Sequence, residues 1–535
     1  MESVASLHAI ERVMLLLLVL VAAFAVMATR LKIPYPIVLV LAGLVLGFVP
    51  HMPRIPLDPN LVFIIILPPL LYSAAWAISW RDFRRNLLII SLLAVGLVGF
   101  TVWGVAEFSD RFVSALDWKA GFLLGAVLAT TDAIAATSIA RSIGLPRRIV
   151  DILEGESLLN DATGLLALEM GIGLLQNGDL PSVQAGLAKL IYLIVGGLGI
   201  GLLFGLVVAW FEKFVDNGPV ELVLSLIVPY AAYLAGEEAK ASGVLSVVAC
   251  GLYLSRQSPR IFSPGVRLQI ISAWEAMTFA LNGIVFLLIG LQIPYVLAGI
   301  KGGYHMITLA EYGALFSATL ILLRIIWVIP AVKLTNMIGR LKSRNEHIGK
   351  RETFVIGWTG MRGVIALAAA YSVPEVINGQ EFGARNLIIF LTFCVILVTL
   401  VFQGLTLPSV IRALGLAADE SGIEPEEREA RALALKEALK FLEAGRVGKA
   451  EAFSHAYDDL IDRYEHRLAE VVEDDTEQGA TKAEVYQELV RAARGALEAE
   501  RMTIIRLRDE GVISDDVLRK MERVLDLEES KYQIS

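Results

Sequence analysis

Residues 152–175 read ILEGESLLNDATGLLALEMGIGLL, an apolar stretch that carries carboxylates in its first half. A membrane-spanning helix needs about 20 mostly apolar residues, and this stretch meets that requirement. At 100° per residue, one helix face presents two carboxylates, an amide and a hydroxyl within an arc of about 140°, with a glycine beside them. The residues on this face are Glu156, Ser157, Asn160, Asp161 and Gly164. Because ionisable groups are costly at bilayer depth, the pattern predicts an ion or proton pathway in a helical membrane protein.

This oxygen-rich face also indicates the kind of ligand that it takes. Hard monovalent cations prefer oxygen ligands, and carboxylate, amide and hydroxyl groups supply them. The face is therefore a candidate cation site. The alternative is a structural polar network that joins packed helices.

The composition of the whole chain excludes several classes of protein. The 535 residues are 56% hydrophobic and 19% charged, and the mean hydropathy is +0.63. A soluble domain averages about 25% charged residues, so a soluble enzyme is excluded. With 47 basic and 55 acidic residues the net charge is −8, and no basic stripe indicates a nucleic-acid partner. The two cysteines, Cys250 and Cys394, lie in apolar runs and are predicted to be core residues, not disulfide partners or metal ligands.

The charge changes abruptly near residue 412. Residues 413–535 carry a net charge of −12, whereas residues 1–412 carry +4. This change predicts a transmembrane domain over residues 1–412 and an acidic, helical cytoplasmic domain over residues 413–535. The acidic domain shows no catalytic spacing, and it is interpreted as a solvated helical or regulatory appendage.

The apolar runs of the first domain predict an all-α polytopic membrane protein with thirteen transmembrane helices. A division into six, one and six spans permits two inverted six-helix repeats, because the halves then enter the bilayer from opposite sides. The fifth and twelfth spans contain polar interruptions and are expected to be broken. The predicted spans are 13–29, 35–50, 61–80, 86–108, 119–141, 152–175, 186–212, 219–236, 242–255, 268–299, 308–333, 353–373 and 385–411.

The loop charges predict the orientation of the chain. Odd-numbered loops contain 18 lysines and arginines, and even-numbered loops contain 7. The protein is expected in the plasma membrane. Because basic residues concentrate in cytoplasmic loops, the N-terminus is expected outside the cell and the C-terminal domain in the cytoplasm. The first span is expected to be retained, because Glu2 and Glu11 precede it where a signal peptide is basic.

Further polar groups interrupt other spans. Thr130, Thr131 and Asp132 lie in the fifth span, where a locally unwound helix frees carbonyls for a cation; a hydroxyl-satisfied kink is the alternative. Arg324 and Arg362 lie within apolar runs and are expected to be structural partners of carboxylates or carbonyls. A pairing of Arg324 with Glu156 would leave Asp161 free.

Several of these stretches together match one family of transporters. They are Leu67-Pro68-Pro69-Leu70-Leu71-Tyr72, Thr131-Asp132, Gly155-Glu156-Ser157-Leu158-Leu159-Asn160-Asp161, Asn282 to Gly290-Leu291, Arg324 and Gly360-Met361-Arg362-Gly363-Val364. The chain resembles a bacterial sodium/proton antiporter of the monovalent cation:proton antiporter superfamily, in the branch shared with eukaryotic sodium/proton exchangers. The Gly-Glu-Ser-x-x-Asn-Asp run is the most specific of these motifs.

The resemblance implies a fold, an assembly and a site. It implies two inverted six-span repeats, a homodimer, and a mobile core bundle that moves against a dimerisation domain. It also implies that Asp161 alternately holds the cation and the proton. Ser157, the backbone of Thr131 and, directly or through water, Glu156 would complete the Na⁺ site. Asn160 stands where the electrogenic branch has a second aspartate, which favours electroneutral one-for-one exchange.

The expected function is therefore secondary active exchange of Na⁺, with Li⁺ as a further candidate, for H⁺ across the plasma membrane. Such exchange would serve Na⁺ and pH homeostasis, with no cofactor besides the transported ions and no enzymatic activity. A K⁺/H⁺ antiporter of the same fold is an open alternative, because ligand type does not determine cavity size. Two distant alternatives are a cation channel, which needs no carboxylate switch, and an intramembrane aspartyl protease using Asp132 and Asp161. The protease signature Gly-x-Gly-Asp does not occur in the chain.

Overall fold

A computed structural model describes residues 2–50, 55, 57–178, 182–215, 217–300, 305–341, 347–417, 425–446, 451–472, 477–510, 512 and 515–530. The chain divides into two compact units, Met1–Ala418 and Asp419–Ser535. The first unit contains the apolar helices, and the second contains charged helices.

Helices make up almost all of the first unit. Its first nine α-helices are α1 (Glu2–Leu31), α2 (Tyr35–Gly47), α3 (Leu67–Ala77), α4 (Trp80–Ser91), α5 (Val98–Phe112), α6 (Trp118–Val127), α7 (Ala133–Ser142), α8 (Arg147–Asn177) and α9 (Val183–Glu212). The next nine are α10 (Gly218–Glu238), α11 (Gly243–Ile261), α12 (Pro264–Leu291), α13 (Ile293–Ile300), α14 (Met306–Leu341), α15 (Lys350–Trp358), α16 (Val364–Tyr371), α17 (Arg385–Leu397) and α18 (Gly404–Ala413). Three π-helical segments, Leu61–Ile66, Leu92–Leu97 and Val398–Gln403, run directly into α3, α5 and α18.

One small hairpin departs from the all-α prediction within the described part of the chain. Strands β1 (Val376–Ile377) and β2 (Gln380–Glu381) pair antiparallel. Asn378 and Gly379 connect them, and both have positive φ, 52° and 80°. An Asn-Gly pair favours this tight turn because both residues tolerate the left-handed region.

Eight helices in the described residues are long and apolar enough to cross a membrane, so the chain is a predominantly helical, polytopic membrane protein. They are Glu11–Leu31, Trp80–Phe112, Arg147–Asn177, Gln184–Glu212, Gly218–Glu238, Pro264–Ile300, Met306–Gly339 and Arg385–Ala413. Shorter apolar helices occupy Tyr35–Gly47, Leu61–Ala77 and Trp118–Val127. Among the described residues, fewer helices meet these criteria of length and composition than the thirteen expected spans. The count of thirteen therefore stays a prediction.

Two of the expected spans are interrupted in the structure. The segment expected at 119–141 consists of α6 and α7, which are separated by residues 128–132. The segment expected at 353–373 consists of α15 and α16, which are separated by residues 359–363. In both places the non-helical residues are buried or half-buried within the protein. Irregular backbone at membrane depth is tolerated where protein surrounds it.

Small residues allow close packing between helices of this unit. A Cβ added to Gly201 of α9 would overlap the carbonyl oxygen of Ser246 in α11, and one added to Gly197 would lie 2.7 Å from that of Ser242. Because helices in lipid gain little from the hydrophobic effect on pairing, small residues that let their backbones approach stabilise the contact.

Helix ends differ from the hydropathy boundaries. Helix α4 begins at Trp80, ahead of the expected residue 86, because the Ser79 side chain accepts a hydrogen bond from the Asp82 amide. Helix α8 begins directly after Pro146, and α14 continues to Leu341, beyond the expected residue 333. Caps and backbone hydrogen bonds determine where a helix ends, whereas hydropathy reports only its apolar part.

The described residues of the second unit form four helices. They are α19 (Pro425–Arg446), α20 (Glu451–Val472), α21 (Glu477–Asp509) and α22 (Asp515–Ser530). Leu497 and Ile504 of α21 pack with Leu518 and Leu525 of α22 in a small apolar core. Arg501 bridges the same two helices by ion pairs of 2.8 and 2.6 Å to Asp526 and Glu529.

Candidate ion-binding site

The two interrupted segments contact each other through their backbones. The amide of Asp132, in the first break, donates a hydrogen bond of 2.9 Å to the carbonyl oxygen of Met361, in the second break. The Asp132 carboxylate accepts from the amide of Ile134 at 2.9 Å, which caps the N-terminus of α7. The breaks are therefore one connected structure.

Arg362 satisfies the carbonyls that the first break leaves exposed. Its guanidinium, 2% exposed, donates hydrogen bonds of 2.8 Å to the carbonyl oxygens of Ala129 and Thr130. These carbonyls follow the end of α6, where the helix dipole is negative, so a buried cation is favoured there. The described partners of the Arg362 side chain are thus backbone carbonyls, and its structural role stays a prediction.

Gly363 is required by the closeness of this crossing. A Cβ added there would overlap the carboxylate of Asp132. Glycine at the start of α16 therefore lets the Asp132 side chain lie directly against the second break.

Helix α8 presents its polar face to the first break. The Ser157 hydroxyl donates a hydrogen bond of 2.8 Å to the carbonyl oxygen of Thr131. The Asn160 amide donates to the hydroxyl of the same threonine at 2.5 Å. The structure therefore brings Thr131 and Asp132 close to Ser157 and Asn160, although at least 25 positions separate the two pairs in the sequence.

A cavity of about 100 Å³ lies where α8 meets the first break. Since one water molecule takes about 30 Å³ of liquid volume, a cation and a small number of waters fit the space. Most of its wall is apolar. The polar residues that line it are Thr130, Thr131, Asp132, Thr137, Glu154, Ser157, Asp161 and Asn282.

Asp161 is the distinctive member of this set. The residue is 1% exposed, and its Oδ1 atom has no hydrogen-bond partner among the described residues. A buried carboxylate oxygen without a donor is unfavourable, and a cation or a proton relieves that cost.

A larger cavity of about 670 Å³ adjoins the small one. Thr137, Glu154 and Asn282 line both cavities. Glu275 also lines the larger cavity, and no lysine or arginine among the described residues does. Carboxylates in a concave, low-dielectric wall attract cations, so the larger cavity is suited to their entry.

The structure contains the Arg324–Glu156 pair that the sequence analysis considered. Arg324 donates to both carboxylate oxygens of Glu156, at 2.5 and 2.7 Å, and its Nε atom donates to the carbonyl oxygen of Ile356 at 3.1 Å. Each residue is 1% exposed. This bidentate geometry is the strongest form of a charged hydrogen bond.

Glu156 consequently does not line the cavity beside Asp161. Both of its oxygens are used by Arg324, and neither residue lines the cavity beside Asp161. Asn160 is likewise absent from the wall of that cavity and contacts it through Thr131. Direct or water-mediated contact of Glu156 with the cation stays a prediction, and in this structure Arg324 uses both carboxylate oxygens.

Glu154 and Asn282 also line the cavity, and neither is among the site residues expected from the sequence. A signal for Glu154 existed in the spacing: residues 154, 157 and 161 are three and four apart, which places them on one face of α8. Asn282 lies on α12, and its approach to α8 depends on helix packing that a linear sequence does not contain.

The chain is similar to known sodium/hydrogen exchangers and antiporters. The family model for the transmembrane sodium/hydrogen exchanger matches residues 15–413. The Na⁺/H⁺ antiporter ApNhaP of Aphanothece halophytica is 34% identical over 490 residues, covering 86% of this chain and 89% of ApNhaP. A sodium, potassium, lithium and rubidium/H⁺ antiporter of Bacillus pumilus is 29% identical over 510 residues, covering 93% of this chain and 74% of that protein.

A solved structure has the same fold. The sodium proton antiporter MjNhaP1 of Methanocaldococcus jannaschii superposes with a TM-score of 0.62 at 22% identity, covering 78% of this chain and all of that one. The chain belongs to the sodium/hydrogen exchanger family, which is a family of transporters.

Proposed function

We propose that this protein exchanges Na⁺ for H⁺ across the cell membrane, with Asp161 as the group that carries either ion. The observation that carries the proposal is the buried, unpartnered Oδ1 atom of Asp161 on the wall of a polar cavity. Family membership and the name of the relative ApNhaP support the choice of ions.

The ligands of the proposed Na⁺ site come from α8 and the first break. Asp161, the Ser157 hydroxyl and the Thr131 carbonyl would supply oxygen atoms, and Asp132 lies on the same wall. Asn160 holds the Thr131 hydroxyl, and Glu156 acts through Arg324 by fixing α8 against α15. In this scheme Glu156 supports the site and contributes to coordination only if the pair opens.

Exchange follows from competition for one carboxylate. A proton and a Na⁺ ion do not occupy Asp161 together, so binding of one displaces the other. Moving a bare carboxylate through a dry part of the protein is costly, whereas the loaded group is nearly neutral. The empty site therefore does not reorient, and transport of the two ions is coupled.

The proposal includes the finer architecture expected from the sequence. Thirteen spans in two inverted repeats would place the two breaks at equivalent positions, and the crossing of residues 128–132 with 359–363 supports that relation. A homodimer, an external N-terminus and a cytoplasmic acidic domain complete the scheme. Residues 1–412 would transport, and residues 413–535 would regulate.

K⁺ is a second candidate ion, because the relative from Bacillus pumilus is named for sodium, potassium, lithium and rubidium. The direct test uses everted membrane vesicles from a strain without its own antiporters. We expect Na⁺ to dissipate an imposed pH gradient at a lower concentration than K⁺, with Li⁺ compared in parallel. A response to K⁺ alone would assign the protein to K⁺/H⁺ exchange, and no response to any of the three would contradict antiport.

Removal of the acidic domain tests the proposal that residues 1–412 transport ions and residues 413–535 regulate transport. Truncation after Leu416 is expected to leave exchange within about a factor of two, because the carboxylate switch lies in α8 and the tail only biases the populations of states. The pH of half-maximal activity is expected to shift. The measurement is vesicle exchange over a pH series, with the oligomeric state checked in parallel. Complete loss of exchange in a truncated protein that inserts and dimerises would contradict the division.

A further inference from the structure

Another cavity, lined mostly by apolar side chains, lies away from the candidate ion-binding site. It has a volume of about 590 Å³ and is bounded by α4, α8, α9 and α11. Its walls are formed by one stripe of mostly apolar side chains from each helix, as in Leu87 of α4, Leu198 of α9 and Val248 of α11. Leu87 is 44% exposed and Leu198 is 39% exposed, so the cavity is a groove that opens sideways, toward the lipid that surrounds an apolar helix bundle.

Basic side chains occur at one end of this groove. Arg84 lies in the first turns of α4, and Arg256 lies in the last turns of α11. The Ser255 hydroxyl donates a hydrogen bond of 2.7 Å to the carbonyl oxygen of Trp76, which places the end of α11 beside the connection from α3 to α4. The two guanidinium groups are therefore on the same side of the membrane.

No residue in the described part of the chain neutralises either guanidinium. Both arginines are exposed, and no described residue forms an ion pair or hydrogen bond with either of them. Trp80 lines the same end of the groove and is 41% exposed. A tryptophan at the end of an apolar surface is typical of the headgroup level of a membrane.

The length of the groove matches one leaflet. Along α4 and the π-helical segment after it, the lining begins at Trp80, at the basic end of the groove, and the part beyond this end runs from Arg84 to Val95. Eleven residues at a rise of about 1.5 Å span about 16 Å. The hydrocarbon core of a bilayer is about 30 Å thick, so one leaflet contributes about 15 Å. The apolar part therefore fits the acyl region of a single lipid, with the arginines at headgroup level.

We propose that this groove binds one anionic glycerophospholipid, with its phosphate between Arg84 and Arg256 and an acyl chain along α4 and α11. Charge complementarity and the one-leaflet length both favour a lipid of this class. An apolar helix from a second copy would fill the groove but leave the guanidiniums without a counter-ion.

The bound chain would touch the helix that carries the candidate ion site. Leu159 and Thr163 of α8 line the groove, and at 100° per residue each is about 200° from Asp161 around the helix. The lipid therefore packs against the reverse face of the ion-binding helix. This inference is independent of which ions are exchanged.

Native mass spectrometry of the delipidated, detergent-purified full chain tests the proposal. The probes are phosphatidylglycerol and phosphatidylcholine with the same acyl chains. We expect the first phosphatidylglycerol to bind at least tenfold more tightly than phosphatidylcholine, because basic residues at headgroup level attract anionic lipid. Equal affinity for the two lipids would overturn the proposal.

Variants locate the binding. Arg84→Gln with Arg256→Gln is expected to weaken phosphatidylglycerol binding at least tenfold and leave phosphatidylcholine binding unchanged. Ala249→Trp fills the apolar wall with both arginines intact, and it is expected to weaken phosphatidylglycerol binding to a similar extent. The matched control, Arg30→Gln, removes an exposed arginine at the end of α1, outside the groove, and is expected to bind as the unmodified protein does. Undiminished phosphatidylglycerol binding in either groove variant would overturn the site.

Discussion

Replacing Asp161 with asparagine is expected to abolish Na⁺-dependent dissipation of a pH gradient, a loss of at least a hundredfold. The substitution keeps the side-chain volume but removes the one carboxylate proposed to hold both ions. The protein should still insert and fold, because the Oδ1 atom of Asp161 contributes no hydrogen bond to the structure. The measurement is exchange in everted vesicles at matched protein levels.

A carboxylate on the same helix provides the control. Glu169 lies on α8 but is paired with Lys189 at 2.5 Å, with both side chains largely exposed. Glu169→Gln is therefore expected to exchange normally. If Asp161→Asn retained Na⁺-dependent exchange, the central assignment would be wrong.

Replacing Arg324 with alanine is expected to produce the largest loss of stability, about 3–5 kcal/mol. The change leaves the Glu156 carboxylate buried without the two hydrogen bonds that it now accepts. The amount of folded protein and its melting temperature in detergent are the measurements. A neutral pair, Glu156→Gln with Arg324→Met, should recover part of the lost melting temperature because no buried charge is then unpaired.

The exposed pair of Lys189 and Glu169 again provides the comparison. Lys189→Ala breaks an ion pair of the same length at a solvent-exposed position, where such pairs contribute about 0–1 kcal/mol. We therefore expect almost no change in melting temperature. Equal destabilisation by Arg324→Ala and Lys189→Ala, or no recovery in the neutral double variant, would show that burial of the Arg324–Glu156 pair is not what makes it important.

Much of the helical framework follows from the sequence, because apolar runs of sufficient length have few other structures available in a membrane. The polar interruptions also mark where helices stop: Thr130 to Asp132 falls in the first break, and Gly360 to Gly363 falls in the second. The residues at which helices begin and end are harder to predict from the sequence. Trp80 to Arg85 belongs to α4 although its arginines lower the hydropathy, because capping by Ser79 determines the start.

For the candidate site, the sequence indicates the types of chemical group better than it indicates how those groups are arranged. The cost of burying charge points to a partner for Arg324, and Glu156 is that partner in the structure. The resemblance implies that Glu156 completes the cation site directly or through water, and a sequence cannot show that one arginine uses both of its oxygens. Glu154 and Asn282 lie on the cavity wall only because α8 and α12 pack at a particular angle.

The neutral Asn160 beside Asp161 has an energetic consequence for the cell. An asparagine side chain is uncharged and takes up no proton, so in the proposed cycle Asp161 alone carries the ion, and the charge of the loaded site is the same with Na⁺ as with H⁺. Moving one net charge through 100 mV changes the free energy by about 2.3 kcal/mol, but a one-for-one cycle moves none. The exchanger would then ignore the membrane potential, and Na⁺ export would stop when the ratio of Na⁺ across the membrane equals the ratio of H⁺. A cell that depolarises would keep its full capacity to expel Na⁺, and a cell that loses its pH gradient would lose that capacity completely.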